Sequence, residues 1–397
     1  MDNSIYKCSQ HLIKSELVEG KRSPHMAKSS FVITVVVIFY CICSLVVPTK
    51  CYHHYPQPLE DVIASLFIFG DSLFDAGNNN YINTPGQANY YPYGETFFKY
   101  PSGRFCDGRI IPDFIAECAK LPLIPPYLYP GNYDFRYGVN FASSGSGALT
   151  ETRQGFVIDL KTQLGYFKNV SNQLKQQMGY ADAKTLLSRA VYVFSVGNND
   201  YLFPFDTNTT ILNSYTTKQY VGMVIGNITQ VTQEIYNIGG RKFGFLNLAH
   251  LGCTPSGRVL EGGNSGACFE KFTPFVKLHN TQLSMILKEL HTKLKGFRYS
   301  LVDFYSFSQE RLNNPSKYGF KEAKEACCGS GPYRGYFSCG GRRGVKEYEL
   351  CENVTDYVFF DSTHPTEKIN MQFTREAWNG KPGFSGPYNL KALFQSN

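Results

Sequence analysis

Short apolar runs alternate with longer amphipathic stretches over most of this chain of 397 residues, and this alternation restricts the fold class. The apolar runs have strand length and are rich in β-branched and aromatic residues: Ile63–Phe69, Tyr137–Phe141, Ala190–Val196, Lys242–Leu248 and Tyr299–Phe304. They are apolar on both faces, as strands are when helices cover each side of a sheet. Segments in which apolar residues recur at helical spacing separate these runs, around Ile111–Lys120, Lys161–Gly179, Lys218–Ile238 and Thr273–Lys295. We therefore predict an α/β fold with a parallel sheet and right-handed crossovers.

The segments that directly follow the strands form the candidate site, because ligands of such sheets bind at the carboxyl ends of the strands. Ser72 follows the first strand, within the segment FGDSLFDAGNNN. At a strand-to-helix turn its hydroxyl would project into the cleft, and its backbone N–H would lie at the positive end of the following helix. A serine that only caps a helix would also explain Ser72 alone. Gly70, which permits a tight turn, and the flanking Asp71 and Asp75 favour a nucleophile.

Two further segments offer hydrogen-bond donors to an oxyanion. The second strand is followed by the small residues of VNFASSGSG, where the backbone N–H of Gly145 can approach a ligand closely. The third strand is followed by GNND at residues 197–200, where an asparagine side chain can donate another hydrogen bond. Taken alone, the first segment is more often just a tight loop, and an asparagine-rich turn explains the second at least as well.

Asp361 and His364 stand three residues apart in the segment FFDSTHPTEK near the C-terminus. On one turn before a helix, this spacing places the carboxylate near the imidazole and leaves the other ring nitrogen free to accept a proton from Ser72. Pro365 suits the first position of a helix, so we predict that a helix begins there. His250 follows the fourth strand without an adjacent aspartate and is the one serious alternative base.

Together and in this order, these segments resemble the GDSL esterase/lipase family of SGNH hydrolases, specifically its large plant branch. The resemblance covers about Leu66 to Leu393. The segments that carry it are FGDSLFDAGNNNY, SGRFCDGRIIPDFIAE, YGVNFASSGSGAL, VGNND, GGRKFGFLNLAHLGCTP, ACCGSG with CGG following, and ELCENVTDYVFFDSTHPTEK. It implies a flavodoxin-like three-layer α/β/α sandwich with a central parallel sheet, the SGNH hydrolase fold.

The resemblance also implies the roles of five residues. Ser72, Asp361 and His364 would form a catalytic triad, in agreement with the interpretation from the residues themselves. The oxyanion hole would consist of the backbone N–H groups of Ser72 and Gly145 and the side chain of Asn199.

The sequence departs from the plant branch at two positions near this site. Ser144 stands where the branch usually has glycine, and we expect it to tighten the loop beside Gly145. His250 stands where many members have proline, and we expect it to line the cleft without a catalytic role. Segments typical of other enzyme classes (a G-x-S-x-G elbow, an H-E-x-x-H motif, a P-loop) do not occur in this sequence.

The expected reaction is hydrolysis of a carboxylic ester through an acyl-enzyme, and the expected substrate is a small-molecule acyl ester or lipid. This chemistry requires no metal and no organic cofactor. One alternative is an acyltransferase, which would pass the same acyl group to an alcohol. The other alternative is a secreted glycoprotein without catalytic activity that serves binding or defence.

The N-terminal residues predict export. An uncharged apolar stretch runs from Phe31 to Val47 directly after Lys28, and it is short for a membrane-spanning helix. We predict a leader and secretory signal within residues 1–50, with Met26 as the real or an alternative start and cleavage near residues 44–52. A single hydrolase domain over residues 51–397 would follow, without a stable membrane span in the mature form. A signal that anchors the enzyme to a membrane is the alternative.

Glycosylation motifs and cysteines agree with a secreted, extracellular protein, expected in the plant apoplast or cell wall. Four sequons stand at Asn169, Asn208, Asn227 and Asn353. Eight cysteines beyond residue 100 suggest disulfides, although sequence does not choose among the pairings. A zinc site at the last four cysteines is disfavoured, because Cys327 and Cys328 are adjacent and lack ligand spacing.

The charge balance excludes a nucleic-acid partner. The formal net charge is +7, of which residues 1–50 contribute +3 from six Lys/Arg and three Asp/Glu. The remaining charge of +4 is scattered and too small for a nucleic-acid footprint.

Overall fold

The structure, a computed structural model, describes residues 64–131, 133–207, 209–262, 265–380 and 383–396. The predicted leader and secretory signal, the start at Met26, the cleavage near residues 44–52 and the sequon at Asn208 lie outside the described residues. Ile63, the first residue of the first predicted strand, also lies outside them. None of the helices in the described ranges has the length and apolar character needed to cross a membrane.

A central sheet of six strands forms the middle of the molecule. Its strands are β1 (Leu66–Gly70), β2 (Gly138–Asn140), β3 (Val191–Ser195), β4 (Lys242–Leu246), β5 (Arg298–Val302) and β10 (Ser385–Pro387). They are arranged in the order β10-β5-β4-β3-β1-β2, parallel except for β10 at the edge. The predicted α/β class with a parallel sheet is confirmed, and strands β1 to β5 have the flavodoxin-like order.

Alternation along β1, β3 and β4 divides their side chains between two cores. On one face the rings of Phe69, Phe194 and Phe245 form a ladder with centroids 4.9 Å apart at each step. On the opposite face Ile68 and Val193 are buried in a second apolar core. The two cores explain why these strands are apolar on both faces, and the stacked aromatic residues on adjacent strands stabilise the strand pairing.

Helices cover both faces of the sheet and complete three layers. They are α1 (Ile111–Cys118), α2 (Leu160–Met178), α3 (Tyr180–Arg189), α4 (Asn198–Asp206), α5 (Thr217–Ile238), α6 (Pro255–Leu260), α7 (Thr273–Lys293), α8 (Phe304–Asn313), α9 (Glu367–Asn379) and α10 (Leu390–Gln395). Helices α2, α3, α5 and α7 bury apolar residues in the core on the aromatic face. Helices α1, α8, α9 and α10 do so on the other face.

Two predicted helix starts are wrong. No α-helix begins after Ser72, which lies in a turn closed by hydrogen bonds from the N–H groups of Phe74 and Asp75 to the carbonyl of Asp71, at 3.1 and 3.0 Å. Pro365 does not start a helix either, because it forms a bridge with Phe359. Helix α9 begins two residues later, at Glu367.

Short strands and disulfides organise the segment that precedes the C-terminal motif. Strand β6 (Glu322–Ala326) pairs with β9 (Tyr357–Phe359), and β7 (Cys328–Gly329) pairs with β8 (Glu349–Leu350). Disulfides join Cys253 to Cys268, Cys327 to Cys351 and Cys328 to Cys339. The other two of the eight predicted disulfide cysteines, Cys106 and Cys118, are free.

Candidate active site

The structure brings Ser72, His364 and Asp361 into one hydrogen-bonded line at the carboxyl edge of the sheet. Ser72 follows β1, and the other two follow β9, so residues 292 positions apart meet. The Oγ of Ser72 lies 2.7 Å from Nε2 of His364, and Nδ1 of His364 lies 2.8 Å from both carboxylate oxygens of Asp361. This geometry suits transfer of the serine proton to the imidazole.

The Asp361 carboxylate is held rigidly from three sides. Its Oδ1 accepts hydrogen bonds from the N–H groups of Thr363 at 2.9 Å and His364 at 2.8 Å, so the turn itself orients the group. Its Oδ2 accepts a hydrogen bond from the hydroxyl of Tyr93 at 2.6 Å. Burial acts to raise the pKa of Asp361, but the charge of His364 and these hydrogen bonds lower the pKa well below its usual value. Asp361 is therefore an anion at neutral pH.

The turn at residues 71–75 that carries Ser72, which we call the nucleophile turn, depends on Gly70. Gly70 has φ +144°, and a Cβ at this position would lie 2.0 Å from the carbonyl oxygen of Ser195 on β3. Gln163 on α2 fixes the same residue, since its amide accepts from the Gly70 N–H at 2.9 Å and donates to the Gly70 carbonyl at 2.9 Å. Asp71 is buried beside the nucleophile and accepts a hydrogen bond from the Asn198 side chain at 2.8 Å. Burial raises the pKa of Asp71 to about 6.

The three expected oxyanion donors lie around the nucleophile. Ser72, Gly145 and Asn199 all line one cavity. The amide of Asn199 donates one hydrogen bond, to the carbonyl of Ser146 at 3.0 Å, which orients the group and leaves its second N–H available. Within the described ranges, the backbone N–H groups of Ser72 and Gly145 donate no hydrogen bond. Gly145 adopts φ +84°, a conformation that glycine favours.

Sequence reasoning singled out Asp75 and Ser144 but missed the hydrogen-bond network through which they join the nucleophile turn to the Gly145 loop. Asp75 accepts hydrogen bonds from the N–H groups of Asn78 at 2.7 Å and Ser144 at 2.9 Å. Asn79 donates to the carbonyl of Ser144 at 2.9 Å and accepts from the hydroxyl of Ser143 at 2.6 Å. The repeated asparagines of DAGNNN were the available signal, because buried amides in a loop commonly satisfy backbone groups. Ser144 thus takes part in this network through its backbone.

His250 lies against Tyr305, with ring centroids 3.8 Å apart, on the wall of the same cavity. Burial lowers the pKa of His250. The imidazole that contacts Ser72 is that of His364, and His250 therefore lines the cleft as expected.

The cavity is large and mostly apolar. Its volume is about 830 Å³, and it extends from Ser72 and His364 over a set of aliphatic and aromatic side chains. Those in its interior include Leu202, Phe203, Leu251, Val259, Phe304 and Phe307. Five large apolar side chains that line it are also exposed: Phe156, Leu260, Tyr336, Phe337 and Val345. Such a cleft suits a substrate with a hydrocarbon portion.

Comparisons with known proteins find one matching family and several similar proteins. A family described as GDSL-like lipase/acylhydrolase matches residues 66–376. The chain is 54% identical over 339 residues to GDSL esterase/lipase 1 of Arabidopsis thaliana, covering 84% of this chain and 91% of that protein. It is 50% identical to GDSL esterase/lipase 2 of the same plant, over 92% of this chain and 98% of the relative. It is 46% identical to a GDSL lipase of Tanacetum cinerariifolium, over 93% of this chain and 96% of that protein.

Proposed function

Because this chain belongs to the GDSL-like lipase/acylhydrolase family and is a carboxylic ester hydrolase, we propose that Ser72, His364 and Asp361 are its catalytic triad. The observation that carries the proposal is the 2.7 Å contact between Ser72 Oγ and His364 Nε2, continued by the 2.8 Å contact to Asp361. The proposed reaction is hydrolysis of acyl or lipid esters through an acyl-enzyme.

In the first step, Ser72 Oγ attacks the ester carbonyl carbon while His364 Nε2 accepts the serine proton. Asp361 stabilises the imidazolium that forms and keeps Nε2 directed at the serine. The carbonyl oxygen becomes an oxyanion, which accepts hydrogen bonds from the N–H groups of Ser72 and Gly145 and from the Asn199 amide. His364 then donates its proton to the leaving alcohol.

In the second step, water replaces the alcohol. His364 accepts a proton from the water as it attacks the acyl carbon, the same donors hold the second oxyanion, and the serine oxygen leaves with the proton. The carboxylic acid is released and the enzyme is regenerated.

The apolar cavity supports an ester with a medium or long acyl chain. Each methylene group that moves from water into such a cavity stabilises binding by about 0.8 kcal/mol, or about fourfold in kcat/KM. We therefore expect kcat/KM to rise with chain length until the cavity of about 830 Å³ is filled.

Secretion is the second part of the proposal. The three disulfides are compatible with an oxidising compartment. Among the sequons in the described ranges, Asn169 and Asn353 are exposed, whereas the Asn227 amide donates to the carbonyl of Met223 within α5. We expect glycans at Asn169 and Asn353, and mass spectrometry of the secreted protein before and after deglycosylation tests this.

The decisive experiment measures hydrolysis of p-nitrophenyl esters from C2 to C16 by the purified glycosylated protein and by Ser72→Ala. We expect activity in the wild type and its loss in the variant, with covalent labelling by a fluorophosphonate only in the wild type. Activity that persists in a folded Ser72→Ala protein would refute the triad.

The acyl-binding role of the cavity has its own test, in which the cavity is narrowed. Val259→Trp is expected to lower kcat/KM for long esters about tenfold or more and to leave C2 hydrolysis nearly unchanged. Met285→Trp is the matched control, because Met285 is exposed on α7 and does not line the cavity. An equal loss at all chain lengths in Val259→Trp would contradict acyl binding there.

A further inference from the structure

A buried cation lies behind the Asp361–His364 pair. Arg343 is only 2% exposed, and its Nη2 donates hydrogen bonds to the hydroxyl of Tyr93 at 2.9 Å and to the carbonyl of Gln87 at 3.2 Å. Its Nε and Nη1 are buried without a hydrogen-bond partner among the described residues. Burial of a guanidinium with incomplete hydrogen bonding destabilises a fold, so packing alone does not explain this residue.

Aromatic rings hold the guanidinium in place. Its central carbon lies 3.5 Å from the ring centroid of Phe337 and 5.5 and 5.7 Å from those of Tyr90 and Tyr93. The electron-rich faces of such rings attract a cation and restrict its orientation. The hydroxyl of Tyr90 donates to the Gln87 carbonyl at 2.5 Å, so Arg343 and Tyr90 share an acceptor.

Tyr93 connects this cation to the carboxylate. It is 1% exposed, and its hydroxyl accepts from Arg343 and donates to Asp361 Oδ2 at 2.6 Å. A hydroxyl that accepts a hydrogen bond from a cation becomes a stronger donor, because successive hydrogen bonds polarise one another. Two chains of donors therefore converge on Asp361: Ser72 through His364 on one side, and Arg343 through Tyr93 on the other.

We propose that Tyr93 and Arg343 are positioning residues that fix the orientation and charge of Asp361, and thereby set the acid limb of the kcat/KM profile. The inference rests on the proposed triad. The charged and titratable groups around the pair are Arg343, Tyr90 and Tyr93 on the side of Asp361, and Asp71 on the side of His364.

The direction of the effect follows from charge. The positive charge of Arg343 opposes a second positive charge on the imidazole of His364, and the hydrogen bond from Tyr93 withdraws charge from the carboxylate that would stabilise an imidazolium. Removal of either group favours the protonated imidazole. The acid limb of the kcat/KM profile should therefore move to higher pH.

The test compares Arg343→Met, which removes the charge, with Arg343→Lys, which keeps it, and with Tyr93→Phe, which removes a single oxygen atom. For p-nitrophenyl butyrate, we expect the midpoint of the acid limb to rise by about 0.5 to 1 pH unit in Arg343→Met and Tyr93→Phe, and by less than half as much in Arg343→Lys. We also expect kcat at the plateau to fall about 3- to 30-fold in Tyr93→Phe, as Asp361 loses one of its three supports.

Unchanged midpoints in Arg343→Met and Tyr93→Phe would overturn the proposal, even if thermal unfolding showed lower stability, because a purely structural role lowers stability without moving the profile. If Arg343→Met does not fold, Tyr93→Phe decides the question. Ser72→Ala distinguishes the two proposals. If Ser72→Ala is inactive but the midpoints of Arg343→Met and Tyr93→Phe do not move, only the positioning role is refuted. If Ser72→Ala is active, the triad itself is refuted.

Discussion

At the level of single residues, the oxyanion hole is tested best at Asn199. Of the three expected donors, only the Asn199 amide belongs to a side chain and can be removed by substitution. The other two donors are backbone N–H groups of Ser72 and Gly145, which every substitution except proline retains. The hydrogen bond from the Asn199 amide to the Ser146 carbonyl at 3.0 Å holds the group in place before substrate binds. A preorganised donor of this kind stabilises the transition state more than the ground state.

Asn199→Ala should therefore lower kcat by about 10²- to 10³-fold while KM changes little. Steady-state kinetics with a soluble ester measures both constants. Asn172→Ala is the matched control, because Asn172 is an exposed asparagine on α2, and it should behave as the wild type. A kcat within threefold of the wild type in Asn199→Ala would remove this side chain from the oxyanion hole.

The sequence was sufficient to select the candidate triad but not the residues that support it. Ser72 and His364 each stand at a recognisable local motif, so their neighbours along the chain were enough to make them candidates. Tyr93 and Arg343 have no such motif, since their contacts join residues 268 and 250 positions apart. Their proximity is a product of tertiary packing, which a single sequence does not reveal.

At the scale of elements, the segment between β7 and β9 is stabilised by covalent bonds. Cys327–Cys351 closes a loop that contains Arg343, and Cys328–Cys339 closes a smaller loop inside it that ends just before Arg343; the sequence separations are 24 and 11 residues. The short strands β7 and β8 supply only a two-residue ladder. The disulfides therefore restrict this segment more than its secondary structure does.

Replacing Cys328 and Cys339 together by alanine is expected to lower the free energy of unfolding by about 2–4 kcal/mol, because the unfolded chain gains the conformational freedom that the disulfide removes. We also expect a lower kcat, since the segment that leads into Arg343 loosens. Denaturant unfolding and ester hydrolysis provide the two measurements. Cys118→Ala, which removes a free and half-buried thiol, is the control, and an equal loss of stability in both proteins would contradict the role of the disulfide.

Strands β1 to β5 were predictable because their β-branched and aromatic runs contain few polar residues. Strand β6 was not, since its sequence EAKEA has the composition of a helix and pairs with β9 only through tertiary contacts. The helix start at Pro365 was wrong for a related reason. The N–H of Phe360 donates to the carbonyl of His364 at 2.8 Å, and this contact holds His364 and Pro365 in extended pairing before α9 begins.

For the whole molecule, buried titratable groups set the dependence of stability on pH. Burial raises the pKa of four aspartates, Asp71, Asp75, Asp107 and Asp200, from 3.8 to about 6. Between pH 4 and 6 the folded protein thus binds protons that the unfolded chain does not, and stability rises as pH falls through this range. His279 acts in the opposite direction, because burial lowers its pKa to about 3 and the unfolded chain takes up that proton first.

The four carboxyl groups should outweigh the histidine between pH 7 and 5. Each aspartate adds about 1 kcal/mol to the free energy of unfolding over this interval, and His279 subtracts about 2 kcal/mol. We therefore expect the Tm of the inactive Ser72→Ala protein to be several degrees higher at pH 5 than at pH 7, at constant ionic strength.

Adding His279→Leu should lower the Tm at both pH values but widen the difference between them, since the opposing group is gone. Below about pH 4 the trend should reverse, because Asp361, whose pKa is lowered in the folded state, must then take up a proton. A Tm that is lower at pH 5 than at pH 7, or a difference that His279→Leu leaves unchanged, would show that these buried groups do not govern the stability.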